Sequence, residues 1–174
     1  MSYKWVQIDT DIDGEAARDQ SGGSVSLNST GNVVAIGAYL NDGNGTSSGH
    51  VRVYKYENGG WIQLGADIDG EDGVDWSGWS VSLNSAGNVV AIGADLNDGN
   101  GTYSGHVRVY KYENGGWIKL GADIDGEADS DQSGWSVSLN STGNVVAIGA
   151  PFNDGNDGNG DNSGHVRVYG LIKN

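Results

Sequence analysis

Cysteine is absent from the 174 residues, proline occurs once, at Pro151, and methionine and phenylalanine occur once each. Without cysteine there are no disulfides and no thiolate metal sites. Basic residues number only nine against 23 carboxylates, leaving a formal charge of -14. Such a chain repels phosphate backbones, so nucleic acid is a poor partner, as is an anionic membrane. Its field favours cations or a basic protein surface, although acidity also keeps a glycine-rich β-protein soluble. Long apolar runs are missing as well, so no membrane insertion is expected. The opening residues MSYKWVQIDTD hold no apolar core of roughly 7–15 residues, and no signal peptide is visible. No window keeps apolar residues at helical spacing, which argues against long helices.

What is present is repetition. Residues 21–38 read SGGSVSLNSTGNVVAIGA, residues 77–94 read SGWSVSLNSAGNVVAIGA, and residues 133–150 read SGWSVSLNSTGNVVAIGA. Each is followed by a loop of Asn, Asp and Gly and then by GHVRVY. Trp5, Trp61 and Trp117 mark a period of 56 residues. A period of this length signals a repeat architecture. The repeats run over about 5–60, 61–116 and 117–174 within one domain.

Each unit predicts four short strands. SVSLN is the first, with Val25 and Leu27 on one face and Ser24 and Ser26 on the other. A tight turn with glycine follows, and the unbroken VVAIGA fits a strand buried on both faces. GHVRVYKY is the third. After an E-N-G-G turn, WIQL and WIKL give the fourth, which KWVQI at 4–8 repeats at the front of the chain. The loops are too short for crossovers, so the unit is an antiparallel meander. Repeated four-stranded sheets of this size predict an all-β fold, a β-propeller with three blades per chain.

The run G-x-S-V … V-A-I-G-A-P … G-H-V-R-V-Y resembles the FG-GAP repeat of integrin α-subunit propellers and their bacterial and algal relatives. Residues 134–151 followed by 164–169 carry it best, and the likeness covers all three repeats. The resemblance implies a propeller, an extracellular setting and a ligand-binding end where the longer loops gather. Ser21, Ser77 and Ser133 stand where the family has the aromatic of "FG". The family's calcium loop lies between the first and second strands. Here that place holds the short turns Asn28–Asn32, Asn84–Asn88 and Asn140–Asn144, so those calcium sites do not carry over.

A ring needs at least about four blades, and three cannot close. The strand at 4–8 and the open edge at 165–169 must find partners, and their contact is heterologous. A homodimer of six blades is the favoured arrangement, with strand 4–8 completing a blade of the partner chain. A trimer of nine, an open fibre or a piece of a longer parent are the alternatives. The near identity of the repeats reflects recent duplication or deliberate symmetrisation.

In such a meander the loops after the second and fourth strands emerge at one end, which is therefore acidic. The stretches D-x-D-x-E recur in register and offer converging oxygens for Ca²⁺. The candidate ligands are Asp9, Asp11, Asp13 and Glu15; Asp67, Asp69 and Glu71; and Asp123, Asp125 and Glu127. The full D-x-D-x-D-G is present only at Asp9–Gly14, however, and Gln20 stands where an EF-hand would have its last glutamate. The other reading is that these carboxylates cap turns and pair with arginine. Asp42, Asp98 and Asp154 sit in Asn-Asp-Gly turns, where local hydrogen bonds compete with a cation or sugar contact. The longer third loop, with Asp157 and Asp161, breaks the symmetry and can carry specificity.

His50, His106 and His165 lie beside Arg52, Arg108 and Arg167, with Tyr54, Tyr110 and Tyr169 on the same strand face. One His per blade is a poor zinc arrangement, and a polar layer between blades is the expectation. Trp5, Trp61 and Trp117 are expected at the outer edge. Trp79 and Trp135 start first strands near the acidic end, placed either to stack on a sugar or to pack between blades. No nucleophile triad, phosphate loop or acid/base pair is visible, so no enzyme is expected. The sequence reads as an integrin-α-like propeller that self-assembles into a ring and recognises a protein or glycan. The alternatives are a carbohydrate-binding lectin and a structural or engineered symmetric assembly.

Overall fold

Valine-rich runs broken by glycine and asparagine give strands and, among the described residues, no helices. The computed structural model describes residues 1–155 and 162–173, and among these thirteen strands form three antiparallel sheets. The first sheet has the order β1 (Ser24–Leu27), β2 (Val33–Ala38), β3 (His50–Glu57) and β4 (Gly60–Gln63), with β5 (Ile68–Asp69) also on β3. The second repeats it with β6 (Ser80–Leu83), β7 (Val89–Ala94), β8 (His106–Glu113), β9 (Gly116–Lys119) and β10 (Ile124–Asp125). The third holds β11 (Ser136–Leu139), β12 (Val145–Ala150) and β13 (His165–Gly170). Register is the same throughout: Ser24, Ser80 and Ser136 face Gly37, Gly93 and Gly149.

The turns follow from their residues. Asn28 Oδ1 accepts the backbone N–H of both Asn32 and Val33 at 3.0 Å, closing the loop from β1 to β2. Between β3 and β4, Asn58 and Gly59 take φ of 54° and 85°, the two-residue turn whose twist suits a hairpin.

Two expectations change. The fourth strand, expected as WIQL alone, resumes beyond β4 as β5 on the same edge of β3. Gln63 pairs with Tyr54 and Ile68 with Val51, so Leu64–Asp67 form a bulge opposite only Arg52 and Val53, with Leu64 packed against the core. Gly65 turns the backbone there with φ 71°. The second and third acidic stretches therefore begin as edge strand, at Ile68–Asp69 and Ile124–Asp125, with Ile68 in the core, rather than being wholly loop. The second change is at residues 4–8, which belong to no ladder and are exposed. A strand needs a neighbouring backbone to bond, and none lies alongside among the described residues. The segment still follows the course of a fourth strand. Trp61 donates its indole N–H to the Ile8 carbonyl at 3.3 Å, as Trp117 does to Leu64 at 2.7 Å.

The sheets stack face to face. Val33, Ala35, Val51, Val53 and Ile68 of the first meet Val81, Leu83, Val90 and Ile92 of the second. Ala91 and Val107 of the second meet Val146 and Ile148 of the third. Burying each of these valine, leucine and isoleucine side chains stabilises the stack by about 1.5–3 kcal/mol. Serines stitch the sheets where they converge. Ser24 and Ser80 donate to the Gly78 and Gly134 carbonyls at 2.7 Å, and Leu83 and Leu139 donate their N–H to Ser26 and Ser82 at 2.9 Å. These serines connect the sheets.

Candidate functional site

The loops after β2 and those after β5 share one end, and hydrogen bonds fasten them. Asn44 Nδ2 donates to the Gly70 carbonyl at 2.8 Å, and Asn100 to Gly126 at 2.8 Å. Beneath them lies a buried buckle. Asn41, Asn97 and Asn153 donate to Asp19, Asp75 and Asp131 at 2.9, 3.0 and 2.9 Å. Burial raises the Asp75 carboxyl above its ordinary range, against the lowering effect of the Asn97 hydrogen bond.

Beside the buckle, strand alternation puts His and Arg of the third strand on one face. Arg52, Arg108 and Arg167 lie over Tyr54, Tyr110 and Tyr169, 5.5, 5.6 and 5.4 Å from the ring centroids. Each guanidinium also reaches a glutamate of the preceding acidic stretch: Glu15 at 3.5 Å, Glu71 at 3.3 Å and Glu127 at 3.4 Å.

The same glutamates meet histidine. Glu15, His50 and Asp67 bring one ligand atom each within 4.8 Å of one another, and so do Glu71, His106 and Asp123. Glu127 stands 3.6 Å from His165. The converging carboxylates thus come from two successive acidic stretches, not from one D-x-D-x-E. The extended backbone at β5 and β10 spreads that motif at about 3.3 Å per residue instead of wrapping it round an ion. The three histidines stay apart, one per sheet; His50 and His106 each gain a carboxylate from the next repeat, whereas His165 has only Glu127 of its own repeat beside it.

These groups could hold a metal. One imidazole and two carboxylates suit a borderline ion such as Zn²⁺ better than Ca²⁺, which takes about six to eight oxygens. Burial and then Arg108 push the His106 imidazole down to about 4, so it is neutral at neutral pH, the form that ligates. The two clusters differ in a competitor. Gln63 donates to Asp67 at 2.6 Å in the first, whereas Lys119 sits 2.8 Å from Asp123 in the second. That bond holds the Lys119 ammonium above its ordinary range. Of the remaining candidates, Asp9 and Asp11 are exposed, with Asp11 accepting from Gln7 at 2.8 Å. Asp13, Asp69 and Asp125 offer their backbone carbonyls to Arg52, Arg108 and Arg167 at 2.8, 2.8 and 2.6 Å.

Asp42 and Asp98 accept the backbone N–H of Ser47 and Tyr103 at 2.7 Å, and Asp154 accepts that of Asn162 at 2.9 Å, so all three hold their own loops in shape. Asp157 and Asp161 lie outside the described residues. Trp79 and Trp135 belong to an aromatic row across all three sheets. Tyr39–Trp79, Trp79–Trp135 and Trp135–Phe152 have centroids 5.0, 5.1 and 5.8 Å apart, and Trp76 stacks on Trp79 at 5.5 Å. Trp79 is half-buried; Trp135 and Phe152 are exposed. Tyr39 lies against Gly23, which stands where the other repeats have these tryptophans.

Sequence reasoning missed Asp95. Its carboxylate is buried and has no hydrogen-bond partner among the described residues, and burial pushes it up to about 7. The available signal was a departure from the repeat, since Tyr39 and Pro151 occupy the same register. The buckle asparagines were also missed, because Asn-Asp-Gly reads locally as a turn.

No family model matches the chain, and no curated protein matches it significantly. Among solved structures, it is similar to a Bacteroides uniformis protein described as a candidate 6-phosphogluconolactonase, at 17% identity and a TM-score of 0.50. The match takes in 84% of this chain and 35% of that one, so this chain spans about a third of its length. The tricorn protease matches 74% of this chain and 11% of its own, at 7% identity and a TM-score of 0.42. With the three stacked antiparallel sheets, the first likeness defines a β-propeller-like all-β architecture.

Proposed function

We propose that this chain is a non-enzymatic recognition module of the integrin-α-like, FG-GAP kind, built from three propeller blades, closed into a ring by copies of itself, and binding a basic protein surface through its acidic end. The observation that carries this reading is the loop end itself. Carboxylates recur there three times in one register, on loops held in shape by the buried Asn–Asp buckles. Equivalent weak sites on a rigid frame gain strength by acting together. The test is binding of an immobilised arginine-rich peptide as salt is raised. Binding should weaken steeply with salt and fall at least tenfold in Asp13→Asn/Asp69→Asn/Asp125→Asn, whose Arg-bonded backbone carbonyls are left in place. Salt-independent binding, or none, sinks the reading.

A second reading rests on the aromatic row. The exposed faces of Trp135 and Phe152 at the mouth of that row suit a pyranose ring. A panel of immobilised neutral oligosaccharides tests it: capture that disappears in Trp135→Ala and resists salt favours a lectin.

A further inference from the structure

The third sheet carries half of three features that the earlier sheets carry whole. The first is a hollow of about 220 Å³ lined by Leu120, Ala122, Leu139, Val146, Tyr169 and Leu171. One repeat earlier, Trp117 stands in this register, lying against Gly65 and donating to the Leu64 carbonyl. Leu120 and Gly121 repeat Leu64 and Gly65, but no indole reaches them among the described residues. The second is the pair Glu127 and His165, which lacks the aspartate that Asp67 and Asp123 supply to the other clusters. The third is apolar surface. Val166 and Val168 on β13 are 68% and 65% exposed, whereas Val51 and Val53, in the same places on β3, are 0% and 1%. On β1, Val25 and Leu27 are 64% and 59% exposed, whereas Val81 and Leu83 on β6 are 9% and 7%.

The chain also carries the missing halves. Trp5, Asp11 and Ile12 repeat Trp61, Asp67 and Ile68, and Trp5 is wholly exposed. We propose that a second copy of this chain supplies the outer strand of the third sheet, its Trp5 filling the hollow and its Asp11 completing the Glu127–His165 cluster. The inference rests on the ring reading above and gives the junction its residues. Its register follows from the first sheet, where Tyr54 faces Gln63, Tyr56 faces Trp61 and Val51 faces Ile68. Tyr169 then faces Gln7 of the second copy, Leu171 faces Trp5, and Val166 faces Ile12. Leu171 already holds the place of Tyr56: its N–H donates to Asn144 at 2.8 Å, as that of Tyr56 does to Asn32. β1 of the second copy covers Val166 and Val168 with Val25 and Leu27, as β6 covers β3. This pair of faces already meets twice within one chain, which is the argument for a copy and against an unrelated occupant. Strand addition satisfies the open edge of β13.

The contact joins two different surfaces, so a mixing experiment tests it. Light scattering on the parent chain should give twice the 18.1 kDa of one chain; a larger closed ring keeps the same junction. Val168→Glu and Leu27→Glu alter opposite sides of the junction at positions exposed in the single chain, so each variant folds. Alone, each should run as a single chain or lose at least a hundredfold in association. Mixed, they should form a one-to-one pair, because one unaltered junction remains. Trp5→Ala should weaken association at least tenfold, and Lys4→Ala should not. A single-chain mass for the parent, no pair on mixing, or equal effects of Trp5→Ala and Lys4→Ala overturns the proposal. Arginine-peptide binding separates recognition from assembly: a stable ring without it sinks the recognition reading alone, and a single chain that binds sinks the ring together with this junction but leaves recognition by the acidic end standing.

Discussion

Arg108 reaches out of its own sheet to hold the backbone of the one before: its Nη2 donates to the carbonyl of Asp69 at 2.8 Å. The same guanidinium pairs with Glu71 at 3.3 Å and lies over the Tyr110 ring. One side chain therefore ties a β-edge, an acidic loop and a third strand together. Arg108→Met keeps the length and removes all three contacts. It should lower stability by about 2–3 kcal/mol, discounted from a fully buried pair because Glu71 is exposed. Arg167→Met, on the more open third sheet, should cost less than about 1 kcal/mol in the single chain. Urea midpoints of the two variants check the order.

The buckle residue Asn97 makes its own prediction. Asn97→Ala leaves the buried Asp75 carboxylate without its side-chain donor. The Asp72 N–H still donates to Asp75 at 3.1 Å, so the expected cost is that of one hydrogen bond to a charged group, about 1.5–3 kcal/mol. Asn100→Ala, whose Nδ2 sits at a partly open loop, should cost about 1 kcal/mol or less. Thermal melts of both, compared with the parent, decide it.

Gly93 packs against the backbone of the next sheet. A Cβ there would run into the Gly134 carbonyl and Ser80 Oγ, and backbone cannot move aside as a side chain can. Gly93→Ala should therefore destabilise by about 3 kcal/mol or more. Gly149, its counterpart in the third sheet, meets only Ser136. Gly149→Ala should fold with a near-parental melt as a single chain and lose self-association, since the second copy brings the missing carbonyl. Equal melts for Gly93→Ala and the parent would show that the sheets do not pack this closely.

Asp95 sets a pH dependence whose sign can be worked out. Its folded carboxyl titrates at about 7, well above the ordinary value of 3.8. Between these pH values the folded chain holds a proton that the unfolded chain has lost. The Asp95 contribution to stability therefore falls as pH rises from about 4 to about 7 and is level beyond. Asp95→Asn should be close to neutral at pH 4 and stabilising by on the order of 4 kcal/mol at pH 8. A gain independent of pH, measured by denaturant titration at both values, would show that Asp95 ionises normally.

The two complete Glu–His–Asp clusters should not respond alike to a divalent ion. Lys119 competes at Asp123, while Gln63 at Asp67 carries no charge. Added Co²⁺, as a probe for a Zn²⁺-type site, should broaden the ring signals of His50 before those of His106. Lys119→Gln should bring the two responses within about threefold. If His106 responds first in the parent chain, Lys119 is not the deciding group.

Much of the fold was legible in the residues. The alternation in SVSL, the continuous VVAIGA, the Asn-Gly turn and the 56-residue period lead to three antiparallel sheets, because each depends on neighbours a few residues apart. The bulge at Leu64–Asp67 was not legible, since Gly65 reads equally as the start of a loop. The Arg–Glu pairing was legible as one of two readings of the acidic stretches.

The sequence by itself determined the first three strands of each repeat, their turns, the matching of Trp5 to Trp61 and Trp117, and the gathering of acidic residues at one end. Only the tertiary structure decided which carboxylates meet. Glu15 and Asp67 belong to successive repeats, and their approach to His50 depends on how one sheet is set against the next. That setting comes from the bulged fourth strand, the Gly–carbonyl contact between sheets and the arginine that bridges them. Asp95 is a sharper case: nothing local distinguishes a solvated aspartate after a strand from one that the fold has buried. Periodicity is a property of the chain, whereas burial and convergence belong to the stack.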